Sequence, residues 1–242
     1  MSTKYHPADL MAIVMAKLLH PGETVFFGVN SPLPMVAVHF ARRHYRLPII
    51  EVNIAGGIDP DPALLPRSTA YSDLIAGSAS VFDNTDFYDL VSRGGIDVAF
   101  LGMGQIDRHA RVNSTAIGSF ERPKVRLPGG GGAAVIMPRA RRVLLWRAAH
   151  SPRIFVDRVD FVTATGNIDR VITPLCVFRK EAGRLVVDSL HPGVSPDYLR
   201  SQTGFPVEVS EDTPVTLEPT PEELSALQEL DPDGIRYLEF QS

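Results

Sequence analysis

A short apolar run that ends in glycine occurs three times in the first half of the chain. The runs are Glu23-Thr-Val-Phe-Phe-Gly28, then Leu47-Pro-Ile-Ile-Glu-Val-Asn-Ile54 leading into Ala55-Gly-Gly57, and Ile96-Asp-Val-Ala-Phe-Leu101 leading into Gly102-Met-Gly104. Runs this short, bounded by turn residues, predict buried strands rather than helices, which need about ten residues or more. Helical stretches lie between them. Residues 8–19 predict a helix with Pro7 near its first turn, apolar almost all round and therefore buried. Asn30-Ser-Pro32 opens a second, with Ser31 as N-cap and Pro32 at the first helical position. Asp83–Arg93 predicts a third, closed by Gly94-Gly95. Strand and helix in alternation select the α/β class, with a mainly parallel sheet flanked by helices. Ligands of such sheets bind where loops leave the carboxyl ends of the strands.

The second half continues with a short helix over Ala133–Ala140 and a strand over Arg142–Trp146. Phe161–Thr165 and Leu175–Phe178 predict further strands, the latter paired with Arg184–Asp188 through the turn Lys180-Glu-Ala-Gly183. A helix over Pro196–Gln202 follows, then a polar tail with a helix from Pro221 to about Leu230. The 242 residues show neither a low-complexity linker nor an internal repeat. One domain over 1–242 is expected, with a tail from about Glu211 that wraps the surface or a partner.

Composition excludes several classes of function. An apolar share of 44% and a charged share of 21% suit a globular core. A net charge of −4 with no long Lys/Arg run leaves no footprint for nucleic acid. Arg139, Arg141 and Arg142 are expected at a helix end, where cations complement the dipole. The longest apolar stretch, Leu10–Leu19, carries Lys17 and is too short to span a bilayer. With no signal-peptide pattern either, a cytoplasmic location is expected. The single cysteine, Cys176, sits between apolar neighbours and is expected to be a buried thiol.

Three loops remain as places for chemistry: Asn53–Pro60, Gly102–Arg108 and Pro128–Ala133. Glycine lets the backbone approach a ligand and aims bare N–H groups at it. Four successive glycines, Gly129–Gly132, lose much entropy on ordering, which favours ligand contact over a plain turn. None of the loops has P-loop or dinucleotide-binding form. There is no GxSxG, and the seven histidines show no metal-ligand spacing, so no metal site is expected. His39 and His44, five apart on a helix, are expected as satisfied surface histidines. His191, before Pro-Gly, is expected in a turn or lining a cleft. Asp59 and Asp61 flank Pro60 in a turn.

Gly94-Gly-Ile-Asp-Val-Ala-Phe-Leu-Gly-Met-Gly-Gln-Ile-Asp-Arg108 resembles a segment of the β subunits of glutaconate-type, family I CoA-transferases. Val112–Gly118, Arg122–Gly129, Gly131-Gly-Ala133, Phe155–Val162 and Ser189–Val194 have counterparts there in the same order. The likeness runs from about Asp9 to Phe205. It implies the CoA-transferase (NagB/RpiA-like) fold, an α-type partner subunit in an α2β2 assembly, and an acyl-CoA substrate. No cofactor is implied beyond coenzyme A as part of that substrate. Asn30, Ser31, Gly102, Met103, Gly104, Gln105 and Gly129, Gly130, Gly131, Gly132 are the residues it implies for holding the acyl-CoA.

In such transferases a β-subunit glutamate in a Glu-Ser-Gly turn attacks the thioester, which is carboxylate nucleophilic catalysis. A gap-free count from Leu65-Pro66 places that turn on Ile54-Ala55-Gly56, and isoleucine cannot form the anhydride. Glu51, three residues earlier in a predicted strand, should face the other way. Relatives on this scaffold include steroid-ring-opening CoA hydrolases and a decarboxylase of 3-methylglutaconyl-CoA. The decarboxylase also lacks the glutamate and is similar at Gly56-Gly-Ile-Asp-Pro60. The expected reaction is therefore decarboxylation, hydrolysis or C–C cleavage of an acyl-CoA. The alternatives are ordinary CoA transfer between short dicarboxylic or 3-oxo acids, and a non-catalytic CoA-binding scaffold role.

Overall fold

The computed structural model describes residues 5–240. They group into two compact units: residues up to Leu101 together with Glu218 onward, and Gly102–Leu217.

The first unit opens with helix α1, Pro7–Lys17, followed by strand β1, Thr24–Phe27, and helix α2, Pro32–Arg43. Strands β2 (Ile50–Asn53), β3 (Gly57–Ile58) and β4 (Ser80–Val81), helix α3 (Asn84–Ser92) and strand β5 (Val98–Gly102) complete its first pass. His6 caps α1, its ring accepting from the Ala8 N–H while the Asp9 carboxylate accepts from the His6 N–H. Ser31 does stand at the N-cap of α2, but its hydroxyl makes no capping hydrogen bond. Every residue of α2 from Pro32 to Ala41 is buried. Neighbouring strands run in the order β5-β1-β2-β3-β4. β1 is parallel to both β2 and β5, with Phe27 opposite Asn53 on one side and Phe100 on the other. The carboxyl ends of three parallel strands therefore lie side by side, as the α/β reading requires.

The second unit carries strands β6 (Gln105–Asp107), β7 (Val112–Asn113), β8 (Ala116–Gly118) and β9 (Pro123–Arg126). Helix α4 (Ala133–Arg139), β10 (Arg142–Trp146), β11 (Phe155–Val156) and β12 (Ile168–Ile172) come next. The hairpin β13 (Cys176–Glu181) and β14 (Arg184–Leu190) and helix α5 (Pro196–Gln202) close it. β10 and β12 are parallel, while β12, β13 and β14 are successively antiparallel. The β13–β14 hairpin forms as expected, with longer strands around a two-residue turn. Ala182 and Gly183 both have positive φ, 48° and 77°, the conformation that matches strand twist. Phe161–Thr165 does not form a strand. Only Ala164 makes a bridge, to Val112; Phe161 stacks on Phe120 at 5.2 Å, and Thr163 spends its hydroxyl on the Ser114 N–H. Its side chains satisfy neighbours one by one instead of pairing in a ladder. Cys176 is fully buried, and burial pushes its thiol pKa up.

From Glu218 the tail closes on α1 and α2 of the first unit, whereas Pro214–Thr216 bonds to Leu190 in the second. Helix α6, Pro221–Leu230, is capped by Thr220 with Glu223 reciprocating. Glu223 accepts from the Tyr45 hydroxyl at 2.6 Å and pairs with Lys17 at 2.7 Å. Arg236 is buried between Asp9, at 2.6 Å, and Asp231, at 2.8 Å. Among the described residues, no helix is long and apolar enough to cross a membrane.

Candidate active site

Strand β2 ends in a turn built from below. Asn53 is fully buried, and its Oδ1 accepts from the Gly57 N–H at 3.1 Å. Its backbone carbonyl accepts from the Gly56 N–H, also at 3.1 Å. The Asn53 amide nitrogen donates to the Leu74 carbonyl at 3.1 Å and approaches Glu51 Oε1 at 3.4 Å. Glycine is obligatory in this turn. Gly56 has φ 103°, and a Cβ there would stand 2.6 Å from the Phe82 carbonyl oxygen. A Cβ on Gly57 would lie 2.5 Å from Ser78 Oγ. Ile54 and Ala55 are left at the crest, half-buried.

Glu51, one step inside the strand, is fully buried. Its Oε2 takes a hydrogen bond from Arg42 Nη1 at 3.1 Å, and His39 Nε2 lies 3.2 Å away without hydrogen-bond alignment. The Glu51 backbone N–H donates to Asp59 Oδ1 at 2.8 Å, and its carbonyl accepts from the Asp59 N–H. Arg42 also donates to the Pro60 carbonyl at 2.9 Å. His39 is thus a buried member of a charged cluster, contrary to the surface role its sequence suggests. α2 buries its whole middle, so there is no wet face for it to occupy. His44 is exposed and stacks on Phe40.

The other glycine loops lie in the second unit and are held by hydroxyls. Ser114 Oγ accepts from the Gly104 N–H at 3.2 Å, and the Ser114 carbonyl accepts from the Gly129 N–H at 2.7 Å. Thr163 Oγ1 accepts from the Ser114 N–H at 2.9 Å and meets Thr115 Oγ1 at 2.7 Å. Gly104 and the glycine run are so brought together around Ser114. A Cβ on Gly130 would meet Thr163 Cγ2 at 2.6 Å, whereas Gly102, Gly129 and Gly131 face open space. Gly132 serves as the N-cap of α4. Met103 and Gln105 are buried, Gln105 bonded to Asn113 and to the Arg153 carbonyl. At the end of β1, Asn30 is exposed in a left-handed conformation and Ser31 is buried.

A sequence profile described as "Coenzyme A transferase" matches residues 9–202. The chain is 33% identical over 246 residues to one of the subunits of 3-oxoadipate CoA-transferase from Pseudomonas knackmussii, covering 94% of each. Its fold matches the crystal structure of the decarboxylase AibA/AibB with a TM-score of 0.90, at 29% identity over 97% of this chain and 98% of that one. It also matches Rhodococcus jostii RHA1 IpdAB with a TM-score of 0.83, at 26% identity over 98% and 99%. The chain belongs to the coenzyme A transferase family.

For a coenzyme A transferase family member, the two carboxylate questions raised by the sequence now have a geometry. Ile54 sits at the crest of the β2 turn, and Glu51 points beneath it into the cluster of α2. Burial alone makes a lone carboxylate costly, and the hydrogen bonds from Arg42 and Asn53 are what make it tolerable there. The sequence alone does not bring Asn53, His39 and Arg42 together with Glu51. The available signal was a set of polar residues inside apolar runs, His39 in Met35–Phe40 and Glu51 and Asn53 in Ile49–Ile54. In the second unit the half-buried His150 and the buried His191 meet around Thr173. His150 Nδ1 lies 2.9 Å from Thr173 Oγ1, and His191 Nε2 lies 2.8 Å from the Thr173 carbonyl. Among the described residues, no group of His, Cys, Asp or Glu has the arrangement of a metal site.

Proposed function

We propose that this chain is the β-type subunit of a heteromeric enzyme, paired with an α-type CoA-transferase subunit, that decarboxylates, hydrolyses or cleaves a C–C bond of an acyl-CoA thioester. The observation that carries the reading is the β2 turn, where an isoleucine occupies the crest and Glu51 is committed to Arg42 and Asn53. A nucleophilic carboxylate must reach the thioester carbonyl, and a fully buried one already neutralised in place does not. An apolar crest suits decarboxylation, because a dry surface disfavours the substrate carboxylate relative to neutral carbon dioxide. The likeness to AibA/AibB, a decarboxylase, and to a cholesterol ring-cleaving hydrolase subunit of Rhodococcus jostii, 33% identical over 214 residues, supports chemistry other than transfer. A substrate like 3-methylglutaconyl-CoA, with a second carboxylate, fits this reading. Coenzyme A enters only as part of the substrate, and the Gly129–Gly131 backbone and Gly102 are the surfaces assigned to it.

Ordinary CoA transfer is the second reading, favoured by the likeness to 3-oxoadipate CoA-transferase. The test is to give the co-expressed complex 3-methylglutaconyl-CoA with labelled acetate and to weigh the products. Carbon dioxide or free CoA without label transfer is expected; labelled acetyl-CoA would establish transfer.

A further inference from the structure

We infer that Asn53 and Glu51 are positioning residues: together they clamp the Ile54–Gly57 turn in the shape that presents its crest to substrate. The inference rests on the reading above that this turn lies at the reacting centre. Asn53 closes the turn twice, its Oδ1 accepting from Gly57 and its backbone carbonyl from Gly56. The Gly56 carbonyl in turn accepts from the Phe82 N–H at 2.9 Å, so the far side of the turn is fixed as well. An asparagine amide could sit either way round. Here the Leu74 carbonyl and Glu51 Oε1 both call for the NH₂ group, which leaves Oδ1 for Gly57.

Glu51 suits this task because it offers two acceptor oxygens. Oε1 faces Asn53 while Oε2 faces Arg42 Nη1 and His39 Nε2. A glutamine in its place would set an amide NH₂ against Asn53 or against Arg42, one donor–donor conflict in either orientation. Arg42 is itself fixed to the Pro60 carbonyl, and Asp59 is bonded to both backbone groups of Glu51. The clamp thus runs from α2 through the strand to the crest with a partner at every step. It reserves the Glu51 carboxylate for positioning and removes it from covalent chemistry.

The test uses the complex co-expressed with its α-type subunit, carrying Asn53→Ala or the isosteric Glu51→Gln, with 3-methylglutaconyl-CoA as probe. Each variant is expected to lower kcat roughly ten- to a hundredfold, as a small misplacement of reacting groups does. KM should stay within about twofold, because the change falls on the transition state rather than on ground-state binding. Backbone amide exchange of peptide 54–57 should quicken while α1 keeps its protection. That exchange reads the clamp whichever reaction the complex performs, so failure of the clamp and failure of the proposed reaction are separable. Should Asn53→Ala not assemble, Glu51→Gln carries the test alone. Unchanged exchange and kcat in Glu51→Gln, or a CoA adduct on Glu51 in the unmodified complex, would overturn the inference.

Discussion

The two units weight charged and neutral partners differently where they bury polar side chains. The first uses charge: Glu51 lies fully buried against Arg42 and His39, and Arg236 lies between Asp9 and Asp231. The second relies more on neutral groups, although Asp107 is fully buried there against Arg111 at 2.7 Å. His150 and His191 bond to Thr173, Thr203 and Thr216, and Ser114, Thr115 and Thr163 hold the glycine loops. A charged cluster is rigid and intolerant of a missing partner, since whatever remains is an uncompensated buried charge. A neutral network loses less when one partner goes, but it depends on its members staying unprotonated.

Breaking the charged cluster should have the largest effect. Glu51→Ala removes the buried carboxylate that Arg42 and Asn53 face and should cost about 3 kcal/mol of stability, measured by urea unfolding of the complex. Thr163→Val in the neutral network is the matching comparison, and about 1–2 kcal/mol is expected for its lost hydrogen bonds.

Acid should separate the units next. Burial pushes the His150 imidazole down to about 3, with the nearby His191 adding to the shift, and pushes His191 down to about 4. The unfolded chain binds protons at these sites below its ordinary histidine value near 6.5, and the folded chain does not. Stability is therefore complete above that value and falls as pH drops towards 4, by about 3 kcal/mol at most for each histidine. Urea midpoints between pH 7 and 4 read this, and His191→Gln should flatten the slope. An unchanged slope in that variant would place the acid sensitivity elsewhere.

The glycines sharpen the same contrast at lower cost. Gly56→Ala meets the Phe82 carbonyl at 2.6 Å in a left-handed backbone and should lose about 2 kcal/mol. Gly131→Ala, with φ 49° and open space around it, should lose about 1 kcal/mol or less. Thermal unfolding of the two variants side by side is sufficient.

Elements bounded by proline and a polar cap were legible in the sequence, as α1, α5 and α6 show. Their limits are set by local chemistry: a ring with no N–H at the first turn and a side chain that takes the orphan donors. The β13–β14 hairpin was legible for the same reason, through Ala182-Gly183. What was not legible depends on partners distant in the chain. Phe161–Thr165 has strand composition, yet Phe120 and Ser114 claim its side chains. His39 reads as a surface residue until Glu51, twelve positions on, is placed opposite it. The glycine-bearing loops were found, but glycine has two causes that composition does not separate. At Gly56 and Gly57 it answers a close approach, and at Gly129 and Gly131 it leaves backbone open.

On the proposed reading, this scaffold works without a nucleophilic carboxylate on this chain. Intact-mass spectrometry of the complex, quenched during turnover of 3-methylglutaconyl-CoA, tests it most directly. Product should accumulate while this chain keeps its unmodified mass. A mass increase of one coenzyme A in thioester linkage, with the adduct mapped to Glu51, would contradict it.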